Sequence, residues 1–233
     1  SPELKKIKLK KKIKILKQAS RLPKNFRPDI VLLAVKPNQL DSAVSKELIN
    51  IISDSLIISI IAGKKISALK KITRNKNKSV RAMTNTPVSL GMGTSILYFD
   101  KWIKERYKNL AREFLALVGQ VNEAKNEKAI DSFTAIYGSG PAYIYLIIES
   151  LIKISSRAGL KNSENMVIQT FLGSLLLLMS GNSDAKTLRE NVTSKGGTTQ
   201  AALSILNSQN GLPKLLGRAI EKAKKRSIEL SRD

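Results

Sequence analysis

The chain contains no cysteine and no histidine. Those absences together remove disulfides, thiol nucleophiles, Cys/His zinc sites and imidazole acid–base catalysis. No metal site is expected, and any chemistry has to run on Lys, Asp, Glu, Ser, Thr, Tyr, backbone groups or a cofactor. A chain without a cysteine framework is in keeping with the cytoplasm, the expected location. Aromatics are scarce at 5%, too few for base-stacking platforms. Acids are also scarce: 18 Asp and Glu stand against 41 Lys and Arg, a net charge of +23. So basic a chain can attract nucleic acid or an anionic membrane. Eight lysines fall within residues 1–17, but they alternate with Ile7, Leu9, Ile13, Ile15 and Leu16, the pattern of a lysine-faced helix or strand. No nucleic-acid partner is therefore expected. Long apolar runs are missing too. The best candidate for a membrane span, Met166–Ser180, is short and interrupted by Gln169, Thr170, Gly173 and Ser174. A buried helix and no membrane partner are expected, and the start has no uninterrupted apolar stretch of a secretory signal.

What is present is a core. Hydrophobic residues make up 42% of 233 residues, enough for one large domain or two small ones. Ser1-Pro2-Glu3 has the form of a helix start, and Lys12–Lys17 alternates like a short strand. Asp29 opens the apolar run Ile30–Val35, closed by Lys36-Pro37; a run so short and β-branched suits a strand buried on both faces. Helix is expected over Gln39–Ser53, strand over Leu56–Ile61, helix over Ile66–Arg74. Short strands are expected at Val80–Met83 and Ser95–Phe99, and a helix over Lys101–Val118. Strands alternating with helices imply a mostly parallel α/β sheet, whose ligands sit at the carboxyl ends of the strands.

From about residue 123 the pattern becomes helical. Helix is expected over Ala142–Arg157, opened by Gly138-Ser139-Gly140-Pro141, and over Asn162–Ser180, Ala201–Leu206 and Leu212–Ser231. Two of these helices are apolar around most of their circumference and need cover on all sides. A helical dimerisation domain is expected, with a partner chain supplying the cover. Between two of them lies Val192-Thr193-Ser194-Lys195-Gly196-Gly197-Thr198-Thr199. Its glycines let a ligand approach backbone closely, and hydroxyls with free N–H groups at a helix start suit a carboxylate or phosphate. The same residues also make an ordinary turn with a Thr cap.

Four stretches in order carry a resemblance to the pyrroline-5-carboxylate reductase family: Ala34-Val35-Lys36-Pro37, Arg81-Ala82-Met83-Thr84-Asn85-Thr86-Pro87, Tyr137-Gly138-Ser139-Gly140-Pro141-Ala142-Tyr143, and Leu188 through Asn207. The resemblance covers essentially the whole chain. It implies an α/β Rossmann-like domain over 1–123 that binds NADPH or NADH, then an all-α dimerisation and substrate domain over 124–233. It implies hydride transfer to the C=N bond of 1-pyrroline-5-carboxylate, giving L-proline, in a homodimer or a larger ring of dimers. Thr199 matches the threonine that faces the ring nitrogen and is the catalytic candidate. Ser194, Gly196, Gly197, Thr198 and Thr199, with Glu127, are the substrate candidates. Ser1, Ala34, Val35, Lys36, Pro37, Ile60, Ile61, Ala62 and Asn191 are the cofactor candidates. Tyr143 and Tyr145 read as core.

Two departures stand out. The family's Gly-x-Gly-x-x-Gly loop has no counterpart, and the chain reads as beginning just after the second strand of the fold. Poor cofactor binding, or none, is expected of it as written. Lys195 stands where the family usually has proline, loosening the loop but adding positive charge beside a carboxylate site. Two further functions compete. One is a related dehydrogenase acting on a hydroxy acid, although no Lys-x-x-Asn pattern occurs between Gly138 and Ser180. The other is an inactive, basic dimeric scaffold.

Overall fold

The computed structural model describes residues 16–17, 21–23, 25–74 and 78–231. Ser1, the helix start expected there, and residues 12–15 of the expected first strand lie outside them; Leu16 and Lys17 are not in a strand. Five strands, β1 (Ile30–Leu33), β2 (Leu56–Ser59), β3 (Ser79–Met83), β4 (Gly93–Phe99) and β5 (Gly119–Glu123), form one sheet in the order 1-2-3-4-5. Every residue of β2 and β3 is buried, Arg81 included, whereas β1, expected to be buried on both faces, pairs among the described residues only with β2 and leaves Leu32 41% exposed. Successive side chains of β2 point to opposite faces. Ile57 packs with Leu33, Leu40, Ile52 and Leu69 on one face, and Leu56 and Ile58 with Val80, Leu97, Ala111 and Leu115 on the other.

Four differences from the sequence reading have physical causes. First, β1–β2, β2–β3 and β4–β5 pair in parallel, but β3–β4 is antiparallel. The link between β3 and β4 holds only a short 3-10 turn, Thr86–Leu90, where a parallel crossover needs a dozen residues or more. Second, β5 falls where no strand was expected. The helix before it, α4 (Glu105–Ala116), stops early, and Gly119 (φ 142°) lies so close to Gly93 that a Cβ would overlap that backbone. Third, the helix expected over Gln39–Ser53 is two, α1 (Leu40–Ala43) and α2 (Lys46–Ile52). It restarts at Ser45, whose side chain accepts the Leu48 N–H at 3.2 Å. The next helix, α3 (Ile66–Thr73), lies close to its expected span.

Fourth, the helix expected from Ala142 begins much earlier. α5 (Ala129–Phe133) runs through a π turn (Thr134–Gly138) into α6 (Gly140–Arg157). Pro141 stands in the first turn of α6, where its missing N–H costs nothing. Carbonyls around the wide turn find side-chain donors: the Tyr143 hydroxyl donates to Ala135 O at 2.9 Å, and Asn85 Nδ2 to Tyr137 O at 3.3 Å. The whole stretch Ala129–Arg157, 29 residues at mean hydropathy 1.2, is long and apolar enough to cross a membrane by length and composition. It displaces Met166–Ser180 as the best such candidate, because Gly138 and Pro141 interrupt the sequence but not the helix.

The chain ends in α7 (Ser163–Met179), α8 (Ala185–Asn191), α9 (Thr198–Leu206) and α10 (Leu212–Leu230). Burial here contrasts with the sheet. α6 has no buried residue, α7 has only Ser163, and Leu176 is 56% exposed. α10 packs back on α5 and the π turn, and its last turn meets Gly63.

Candidate active site

Parallel β1 and β2 finish side by side. The Ile60 N–H donates to Leu33 O at 3.0 Å, so the loop Ala34–Pro37 and the turn Ile60–Ala62 share one rim at the carboxyl end of the sheet. Ala34 and Lys36 are exposed, and Val35, Pro37, Ile60 and Ala62 are half-buried. Ile61 is different. It is 2% exposed and packs into the core beside Ile57, so it anchors the rim rather than lining it. Gly63 closes the turn at φ 75°.

The second group lies between α8 and α9. Asp184 accepts the Thr187 N–H at 2.8 Å and caps α8. That backbone hydrogen bond, with a further one from the Thr187 side chain, holds the Asp184 carboxyl below its usual range. Asn191 ends α8, exposed. The loop then ties itself down. Thr193 Oγ1 donates to Arg189 O at 2.6 Å, the Gly197 N–H to Ser194 O at 3.1 Å, and the Gly196 N–H to Gln200 Oε1 at 2.6 Å. Gly196 takes φ 75°, open to glycine without strain. The cap of α9 is Gly197, not a threonine, and a Cβ there would overlap Ser194 Oγ. Thr198 and Thr199 are therefore the first two helical residues. Among the described residues neither hydroxyl is engaged in a hydrogen bond. Because the Gly196 and Gly197 N–H groups are occupied, the donors this loop turns outward are those of the first turn of α9, which no helix satisfies internally.

Glu127 belongs to a third group. Its Oε1 accepts the Ile66 N–H at 2.8 Å, capping the start of α3, and lies 3.5 Å from Arg81 Nη1. Arg81 Nη2 donates to Asp131 Oδ1 at 3.1 Å, and that oxygen also accepts from Ser227 Oγ at 3.0 Å. Arg81, Glu127 and Asp131 border a cleft of about 450 Å³ together with Lys65, Asn126 and Lys128. Sequence reasoning had Glu127 but not Asp131 or Ser227. Its available signal was Arg81, a cation inside the short strand expected at Val80–Met83, which demands partners once buried. Among the described residues no hydrogen bond or ion pair joins the strand-end rim, the α8–α9 loop and the Glu127 group to one another except Glu127 with Ile66, at the start of α3 beyond the rim. No cluster of three or more acidic or metal-binding side chains could hold a metal ion among them.

Residues 127–230 match the pyrroline-5-carboxylate reductase dimerisation domain. A pyrroline-5-carboxylate reductase of Bacillus subtilis is 36% identical over 207 residues, which are 88% of this chain and 69% of that one. The chain belongs to the pyrroline-5-carboxylate reductase family. The reductase of Haemophilus influenzae is 36% identical over 188 residues, 79% of this chain and 69% of its own. Among solved structures, the Plasmodium falciparum pyrroline carboxylate reductase with NADP bound superposes with a TM-score of 0.79 at 34% identity, covering 87% of this chain and 77% of its own. The reductase of Coxiella burnetii gives 0.78 at 37%, covering 87% and 76%. The family membership fits the fold: a largely parallel, Rossmann-like sheet, then a helical region matching a dimerisation domain where burial is poorest.

Proposed function

We propose that this chain reduces the C=N bond of 1-pyrroline-5-carboxylate to L-proline with NADPH or NADH. The observation that carries the reading is the α8–α9 loop, a self-braced Gly-Gly turn that presents first-turn N–H groups and two unengaged threonine hydroxyls. The substrate is already an imine, so no nucleophile is needed, in keeping with a chain free of Cys and His. When bound, the nicotinamide supplies a hydride to the imine carbon and is itself oxidised. The chain has to hold the ring and deliver one proton to its nitrogen. Thr199 gives or relays that proton. Ser194, Gly196, Gly197 and Thr198 shape the carboxylate pocket, with the first-turn N–H groups of α9 as its donors and Lys195 adding positive charge. Ala34, Val35, Lys36, Pro37, Ile60 and Ala62, braced by Ile61, form the cofactor rim, and Asn191 meets the nicotinamide end. The small exposed Ala34 and half-buried Ala62 suit the flat face of a nicotinamide. The chain has no Gly-x-Gly-x-x-Gly turn, so none of its residues is assigned to the pyrophosphate.

The working unit is a homodimer through the helical region, with residues 1–123 as cofactor domain and 124–233 as dimerisation and substrate domain. We place it in the cytoplasm, without membrane or nucleic acid, in a dimer or a ring of dimers; the apolar faces of α6 and α7 then meet a second copy rather than lipid. The test is NAD(P)H oxidation by the purified chain with 1-pyrroline-5-carboxylate. Thr199→Ala is expected to lower kcat about a hundredfold, the scale of one positioned proton donor, with Thr199→Ser retaining most activity. Equal kcat in wild type and Thr199→Ala refutes the role.

A further inference from the structure

We infer that Arg81, Glu127, Asp131 and Ser227 are positioning residues that set the cofactor rim against the helical half, an inference resting on the reductase reading above. Arg81 lies in the middle of β3 and is 1% exposed. Its two terminal nitrogens face the two carboxylates, Glu127 at 3.5 Å and Asp131 at 3.1 Å. From there one bonded path runs both ways. Toward the rim, Glu127 Oε1 holds the Ile66 N–H at 2.8 Å, at the start of the helix that follows Ile60–Ala62. Toward the helices, Asp131 sits on α5 and receives Ser227 Oγ of α10 at 3.0 Å. Four elements, α3, β3, α5 and α10, meet on one guanidinium.

The arrangement leaves Glu127 little freedom for a substrate. Its Oε1 faces both the amide and the guanidinium, and moving it would uncap α3 and leave Arg81 short of a partner. Apolar residues of similar size often stabilise a fold as well as a buried ion pair does, so stability alone is a poor reason for this network. Position is a better one, because an error of about 1 Å between reacting atoms can cost about a hundredfold in rate.

The test uses the full chain with NADPH and 1-pyrroline-5-carboxylate, comparing wild type with Asp131→Asn, Glu127→Gln and Ser227→Ala. For each, kcat, both KM values, the thermal midpoint and the isotope effect with NADPH deuterated at the transferred position are measured. Asp131→Asn is expected to lower kcat about tenfold and raise the isotope effect, as hydride transfer becomes limiting, while KM for the substrate moves less than about twofold. Should Asp131→Asn fail to fold, Ser227→Ala decides, with an expected fall of about threefold in kcat and the same rise in isotope effect. Lower midpoints with wild-type kcat and isotope effect per folded site would mean a purely structural network and overturn the inference. A raised substrate KM at unchanged kcat in Glu127→Gln would make Glu127 a substrate ligand and also overturn it. No substrate-dependent turnover by the unsubstituted chain, even with NADPH raised to fill a weak cofactor site, removes the reductase reading, and this inference with it.

Discussion

Gly63 is where the turn after β2 meets the last turn of α10, and Gly63→Ala isolates that contact. The residue sits at φ 75°, a left-handed conformation that penalises an L side chain by about 1–2 kcal/mol. A Cβ there would stand 2.5 Å from Leu230 O and 2.7 Å from its carbonyl carbon. Both are backbone atoms, so no rotamer change relieves the overlap, and the end of α10 has to move. Overpacking of that kind costs about 1–3 kcal/mol. The sum is about 2–5 kcal/mol, and at roughly 2–4 °C per kcal/mol the thermal midpoint falls by about 4–20 °C. Gly91→Ala is the control. It has φ 71° but no neighbouring atom within 4 Å of the added Cβ, so it incurs only the conformational cost. Calorimetry on both variants, with NAD(P)H oxidation on the survivors, gives the comparison. Equal shifts in the two variants refute the close contact between Gly63 and α10.

Arg81→Met leaves Asp131 buried without its cation and is expected to cost about 3–5 kcal/mol in urea unfolding, while Arg81→Met with Asp131→Leu recovers a large part. Asp184, with its folded pKa depressed below 3.8 by the Thr187 N–H, contributes its cap fully above that value and loses it as pH falls through the folded pKa. Once corrected for the intrinsic pH dependence of amide exchange, protection over residues 185–191 should therefore fall in acid as Asp184 protonates in wild type, with Asp184→Asn showing no such step. Leu176→Glu puts a charge on the exposed apolar face of α7, and sedimentation should show the dimer weakened at least about a hundredfold, or about 2.7 kcal/mol.

The legible parts of this fold were those in which one short-range signal dominated. Ile30–Leu33 and Leu56–Ser59 are apolar runs bounded by Asp29, Ser55 and their closing loops, and nothing in their neighbourhood competes with strand. β5 was hidden because Gly119-Gln120-Val121-Asn122-Glu123 is polar and holds its place by a close approach to Gly93, a contact distant in sequence. The antiparallel turn of β4 depended on counting the residues between it and β3, not on the strand itself. Gly138 and Pro141 punctuate the sequence convincingly, yet the π turn absorbs them because Tyr143 and Asn85 satisfy nearby carbonyls. In the candidate site the Gly-Gly-Thr-Thr turn at the start of a helix was legible. That its glycine amides are already bonded was not, since Gln200 reaches back across the helix start to take one of them.

The two halves of the chain are held by different physics, and that difference explains where a buried charge network is useful. The sheet half has apolar clusters on both faces, and its position is set by interdigitated side chains. The helical half of a single chain has little such packing: α6 buries nothing fully and α7 only a serine. It falls within residues 127–230, which match a dimerisation domain, so its apolar surface is suited to cover by a second copy. Apolar attraction is non-directional, so covering α6 and α7 does not by itself fix their angle to the sheet. A guanidinium between two carboxylates does, because its hydrogen bonds hold only over a narrow range of distance and direction. The polar link lies at residues 127–131 and 227, beside the apolar cluster of Met83, Ile96, Ile130 and Phe133 that packs α5 on the sheet, and it adds the directional contacts which that cluster lacks.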